Sequence, residues 1–200
     1  MTMKILLDFD GTCARVADFT CAVMTALGHP LTASDLSHYD SVRTTPERER
    51  AFWAAYDIMD SFPRVREALE PYDENTVAVL TYLIGRYPSI EVVTANDRQA
   101  FLGIAQWFRK NLGDAGWRIA VHTTGRRGPN KATLGYDVLI DDAPSLAAHC
   151  PIVRRWRSWL EVPELLARVA AAKEAGRIVG PVLLLANARW NEDVQDKGDL

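Results

Sequence analysis

Cysteine is scarce in this chain. Cys13, Cys21 and Cys150 are odd in number and lie far from any paired metal-ligand spacing, which excludes a disulfide framework and a thiolate zinc site. They read as small buried hydrophobes. Cys13 follows an acidic turn closely enough to sit near a pocket, but a catalytic thiol is the minority reading. His29, His38, His122 and His149 show no ligand spacing either, and no role is assigned to them. No apolar run approaches the length of a membrane span, and one lysine and two acids before Gly11 are not a signal-peptide layout. The chain is therefore expected to be soluble and cytoplasmic. A formal net charge of -3 is too mild to draw it to nucleic acid or to an acidic membrane surface. Repeats and low-complexity segments are missing as well. What remains is 200 residues, 48% hydrophobic and 24% charged, enough for one compact domain with a small inserted lobe.

The most informative stretch runs from Met3 to Thr12. Ile5, Leu6 and Leu7 form a short unbroken apolar run, which suits a parallel strand covered on both faces. It ends in Asp8-Phe9-Asp10-Gly11. Side chains alternate along a regular strand, so Asp8 and Asp10 share a pocket only if the chain turns after Asp8, and Gly11 permits that turn. Ligands in open α/β sheets bind outside the carboxyl ends of the strands, where these acids fall. Taken alone, the motif also reads as an ordinary polar turn.

Later segments repeat the pattern. Val16, Phe19, Val23 and Leu27 mark a helix that Gly28 and Pro30 end, while Leu31 to Arg43 stays unassigned. Thr45-Pro46-Glu47 has a cap, a first-turn proline and an acid for the start of a second helix. Ser61-Phe62-Pro63 starts a short piece, and Pro71-Tyr72-Asp73 a longer helix. No strand is expected before Pro88. That interval is long for a crossover, so residues 14–72 are expected to form a helical cap on a core made of 1–13 and 73–200. Ser89 to Thr94 is the second strand. A helix over about Arg98 to Asn111 is expected to turn Phe101, Ile104 and Phe108 inward. Trp117 to His122 is the third strand, and Tyr136 to Asp142 the fourth, again ending in two acids. Pro144 starts the next helix, Trp156, Trp159 and Leu160 stay unplaced, Pro163 to Ala175 is helical, and Val182 to Leu185 closes the sheet before a polar tail with Trp190.

The order of Asp8-Phe9-Asp10-Gly11-Thr12, Thr94, Lys131 and Asp141-Asp142, three of them at strand ends, resembles the four motifs of the haloacid dehalogenase superfamily. Within it, the cap, the lysine ahead of the fourth strand and the Trp190-Asn191 pair are most similar to the 5′(3′)-deoxyribonucleotidases. The second motif, Thr94-Ala95-Asn96-Asp97, and the long stretch from Pro151 to Gly180 depart from that narrower family. The resemblance implies a Rossmann-like parallel sheet flanked by helices. It also implies a Mg2+-dependent phosphatase, with Asp8, Asp141 and the main-chain carbonyl of Asp10 on the ion and Asp142 behind them. Asp8 would be the nucleophile and Asp10 the acid and base. Lys131, the Thr94 hydroxyl and the N–H groups of Ala95 and Asn96 would hold the phosphoryl group.

The implied substrate is a small phosphomonoester, a deoxyribonucleoside monophosphate foremost, in an enzyme of nucleotide metabolism. A sugar phosphate or a polynucleotide end is the second enzyme reading, and a nucleotide binder without turnover the third. Phe52, Trp53 and Tyr56 read first as the inward stripe of a helix. In the other reading one of them, or Phe19 or Phe62, stacks on a base. Arg126-Arg127 and Arg154-Arg155-Arg157 read as solvated faces before phosphate or nucleic-acid contacts. The resemblance also suggests a homodimer.

Overall fold

The computed structural model describes residues 3–31, 44–126, 131–188 and 191–200. Most of the unassigned stretch after Leu31, with His38, and Arg127 and Trp190 lie outside the described residues. Among the described residues six strands form one sheet: β1 (Ile5–Leu7), β2 (Ile90–Thr94), β3 (Ala120–Thr123), β4 (Val138–Asp141), β5 (Ile152–Trp156) and β6 (Val182–Ala186). Their order is β3-β2-β1-β4-β6-β5, and every neighbouring pair is parallel. The helices are α1 (Val16–Ala26), α2 (Pro46–Ser61), α3 (Pro63–Glu67), α4 (Thr76–Arg86), α5 (Ala100–Leu112) and α6 (Val162–Glu174). This is a Rossmann-like α/β fold.

Strands β1, β4 and β6 are buried along their whole length, as expected of parallel strands covered on both faces. Their position sets the site. β1 lies between β2 and β4, so the chain leaves it in opposite directions, and a crevice opens at the carboxyl edge of such a switch point. Leu7 is in register with Val92 on one side and Ile140 on the other. Asp8 and Asp141 therefore emerge side by side, with Thr94 ending the strand across from them.

Among the described residues no strand of the sheet falls between β1 and β2. Thr45 caps α2 as its sequence suggests, accepting from Arg48 N at 3.3 Å. The chain from α3 onward packs on α5: Trp107 Nε1 donates to Leu69 O at 2.8 Å. A side chain at Gly103 would put its Cβ 2.8 Å from Arg66 Cβ and 2.9 Å from Pro63 O, so this close approach requires glycine. No described helix is long and apolar enough to cross a membrane.

Several expectations need correction. Phe101 is 46% exposed, because the buried face of α5 runs through Ala100, Ile104, Trp107 and Phe108 and leaves Phe101 at its margin. Trp117 is no strand residue: Gly113–Trp117 is a 3-10 turn, β3 begins at Ala120, and the Arg109 guanidinium lies over the Trp117 ring at 3.7 Å. Pro144–His149 is likewise a 3-10 segment. The chief miss is β5, since two arginines hide its apolar pattern. β5 is the edge strand, and β6 lies inside it. Arg154 binds the tail through the carbonyls of Lys197 and Gly198 at 2.9 and 2.6 Å, and Arg155 N donates to Asp196 Oδ1 at 2.9 Å. These arginines fasten the tail over an edge that would otherwise stay unpaired.

Asp73 joins α4 to the turn after β5. Its carboxylate accepts from Asn75 N and Thr76 Oγ1 on one oxygen and from Ser158 Oγ and Trp159 N on the other, all at 2.9 Å. Burial pushes the Asp73 carboxyl up, but these donors outweigh it and hold it below its ordinary value of 3.8. Asp73→Ala should cost roughly 2–4 kcal/mol at neutral pH, because several donors to one charged acceptor are lost together. A depressed carboxylate stabilises above its unfolded pKa and loses that contribution as pH falls through its folded one. Urea titrations should therefore show the gap to the parent closing below about pH 4.

Candidate active site

The turn after β1 is closed by its own backbone. Cys13 N and Ala14 N both donate to Phe9 O at 2.9 and 3.0 Å, and Gly11 takes a φ of 75°, where a side chain would be strained. Trp159, unplaced from sequence, is fully buried and donates from Nε1 to Thr12 O at 3.0 Å. Asp8 N donates to Ile140 O at 2.9 Å, which locks the turn to β4.

Asp8, Asp141 and Asp142 can each offer a carboxylate oxygen to one point, these oxygens lying within 4.8 Å of one another. All three acids are buried. Lys131 Nζ reaches two of them, at 2.9 Å from Asp8 Oδ1 and 2.6 Å from Asp141 Oδ2. Burial pushes Asp8 up to about 7; Lys131 opposes this, while Asp141 and Asp10 add to it. Asp142 is pushed well above the carboxylate range, by burial and then by Asp141 and Asp8. For Lys131, burial works downward and the two aspartates more than reverse it, so it remains a cation.

Asp10 faces another way. Its Oδ1 accepts from Arg66 Nη1 at 2.7 Å and its Oδ2 from Asn96 Nδ2 at 2.7 Å. Asn96 Nδ2 also lies 2.7 Å from Thr94 Oγ1, so the end of β2 is tied to the acidic turn through a side chain. Arg66 has no exposed surface and also grips Asp60 Oδ1, from Nε at 3.1 Å and Nη2 at 2.7 Å.

The donor set suits a hard divalent cation, which takes few protein carboxylates and fills the rest with water or phosphate oxygens. The crowding that pushes Asp8 and Asp142 up is what such an ion would relieve. Asp142, expected behind the ligands, belongs to the cluster itself, whereas the Asp10 carboxylate points to Arg66 and Asn96.

No family model and no curated protein matches the sequence. Among solved structures the chain is similar to a haloacid dehalogenase-like family hydrolase from Streptococcus pneumoniae, at 14% identity over 74% of this chain and 79% of that one, TM-score 0.48. It is also similar to a HAD family hydrolase from Deinococcus radiodurans R1 with bound phosphate and sodium, at 14% identity over 91% and 90%, TM-score 0.46. A third is a candidate β-phosphoglucomutase from Thermotoga maritima, at 13% identity over 92% and 94%, TM-score 0.45. At such identities the site has to be read from its own residues.

Of the residues singled out in the sequence, Asp8, Lys131, Asp141 and Asp142 come together, and Asp10, Thr94 and Asn96 form an adjoining group. Ala95 is exposed. Phe52 and Tyr56 are buried, Trp53 is half-buried, and Phe62 is 60% exposed. Phe19 lines a cleft of about 440 Å³ with Arg15, Arg64, Val65 and Leu69, and none of Asp8, Asp10, Thr94, Lys131 and Asp141 borders it. Arg126 sits over the Trp53 ring at 4.9 Å and meets Asp57 at 2.8 Å and Asp60 at 3.3 Å. Cys13 is buried and donates from Sγ to Asp8 O at 3.1 Å. Burial, then Asp8 and Asp10, push its thiol well up, which makes it a poor nucleophile.

One further contributor escaped the sequence, and another was read there only as part of the Trp190-Asn191 pair. Arg66 stands in a five-residue helix with no motif around it. Asn191 is buried and donates from Nδ2 to Asp142 O at 2.9 Å and Ala186 O at 2.7 Å, pinning the second acidic turn to β6.

Proposed function

We propose that this chain is a magnesium-dependent phosphomonoester hydrolase of the haloacid dehalogenase type. The observation that carries this reading is the meeting of Asp8 and Asp141 at adjacent strand ends with the Lys131 ammonium between them. Asp8, Asp141 and Asp142, with the Asp10 carbonyl, would hold the Mg2+, which when bound neutralises charge on the phosphoryl oxygens. The chain's own residues do the rest. Asp8 Oδ attacks phosphorus, the bond to the ester oxygen breaks, and Asp8 carries the phosphoryl group as an acyl phosphate. Asp10 supplies the leaving oxygen with a proton. In the second half a water oxygen attacks phosphorus, its proton passes to Asp10, and the electron pair of the breaking bond returns to Asp8 as carboxylate. Each Asp10 oxygen accepts one N–H and keeps a second lone pair for the proton in transit. Lys131 offers its charge to the phosphoryl oxygens, and Thr94, Ala95 and Asn96 border the same strand edge.

The foremost substrate class is the deoxyribonucleoside monophosphates. Support comes from the motif resemblance and from Trp53, the one ring of the α2 trio that is half-buried, although Arg126 lies over one of its faces. Sugar phosphates are the second reading, favoured by the burial of Phe52 and Tyr56, which takes two of the three α2 rings away from stacking. With Mg2+, the purified protein is expected to release phosphate from deoxyribonucleoside monophosphates faster than from sugar phosphates. The reverse order would establish the second reading, and no release from any monoester would overturn the hydrolase.

A further inference from the structure

Among the described residues Arg66 is the largest charged side chain buried without any exposed surface, and the reaction above makes no direct use of it. Out of reach of solvent, it is out of reach of substrate too. Its three nitrogens are nevertheless all committed: Nη1 to Asp10, and Nε and Nη2 to one oxygen of Asp60. Asp60 is in turn met by Arg126 at 3.3 Å. A planar guanidinium gripped twice by one partner has a fixed direction in which to offer its remaining N–H. α3, which carries it, packs closely on α5 at Gly103, where an added Cβ would fall 2.8 Å from Arg66 Cβ. Asn96 takes the other Asp10 oxygen from just beyond the carboxyl end of the neighbouring β2. The Asp10 carboxylate is thus aimed from both sides, by a helix that no motif marks and by a strand that one does.

We propose that Arg66 is a positioning residue that aims Asp10 at the water attacking the phosphorylated enzyme. The inference rests on the hydrolase reading, and leaving-group chemistry separates the two. A nitrophenolate departs without a proton, so transfer of the phosphoryl group from p-nitrophenyl phosphate to Asp8 does not need Asp10. Hydrolysis of the acyl phosphate does, since the water must give up a proton as it attacks. Misaiming Asp10 should slow only the second half of turnover.

The test is rapid-mixing kinetics with p-nitrophenyl phosphate and Mg2+. Arg66→Lys keeps the charge but has one nitrogen where three are used, and Arg66→Met combined with Asp60→Leu removes the clamp without leaving Asp60 unpaired. Both variants should show a burst of nitrophenolate approaching one per enzyme, then a steady rate about 10²-fold lower in the double variant and less reduced in Arg66→Lys. KM should not rise. If the double variant fails to fold, Arg66→Lys and Asp60→Asn give the same reading through the burst. Burst and steady rate falling in proportion, or both unchanged, would overturn the inference while leaving the hydrolase intact. A parent that releases nothing from any phosphomonoester overturns the hydrolase reading and the inference with it.

Discussion

Replacing Asp8 by asparagine should lower phosphate release by roughly 10⁴-fold or more, since removing a covalent nucleophile leaves only binding and charge stabilisation. An amide of the same shape cannot carry the phosphoryl group. The variant should nevertheless fold. The introduced amide would keep an oxygen near Lys131, which retains Asp141 at 2.6 Å, and the backbone bond from residue 8 to Ile140 O needs no side chain. Burial and the neighbouring Asp141 and Asp10 make the Asp8 carboxylate costly, and an amide brings no charge to bury. Thermal unfolding in chelator should therefore place Asp8→Asn no lower than the parent. Loss of activity with a preserved melting transition assigns Asp8 to chemistry. Retained activity removes the acyl phosphate from the account.

The carboxyl edge of the sheet was legible because buried parallel strands leave a strong trace. Ile5 to Leu7 and Val138 to Ile140 are unbroken apolar runs, and each ends in aspartate, so strand and site were announced together. β5 left no such trace. Arg154 and Arg155 stand inside it, tolerable only because the tail residues Asp196 to Gly198 come back to bind them, and a contact across some forty residues has no local signal. Arg66 is illegible for the same reason: its partner Asp10 lies 56 positions away, and an arginine between two ordinary helix residues looks like a surface charge. Asn96 was read for its backbone, yet its side chain makes the contacts to Asp10 and Thr94. Local pattern reaches elements and strand ends. It does not reach the long-range polar contacts that aim the acids.

Lys131→Met should produce the second large effect, and on two observables. Lys131 Nζ is shared by Asp8 and Asp141, both buried. Removing one partner of a buried ion pair leaves charge in a low-dielectric interior and costs about 3–5 kcal/mol. Methionine replaces the stem as far as Cε and omits only the ammonium, so little of the loss comes from a cavity. In chelator the denaturant midpoint of Lys131→Met should fall well below that of the parent. Mg2+ should recover part of the gap, because an ion held by Asp8 and Asp141 supplies the positive charge the lysine no longer gives, and any ligand bound to the folded state alone stabilises it. Calcium, too large for tight octahedral geometry but equally hard, should recover stability without recovering activity. Phosphate release with Mg2+ should still fall by about 10²–10³-fold, the usual consequence of removing one preorganised charge from a transition state. Stability that ignores both the lysine and the ion would mean that Asp8 and Asp141 meet for structural reasons alone. Restored stability with a persisting loss of turnover would separate the two tasks of Lys131: balancing the acids at rest, and meeting the phosphoryl oxygens during the reaction.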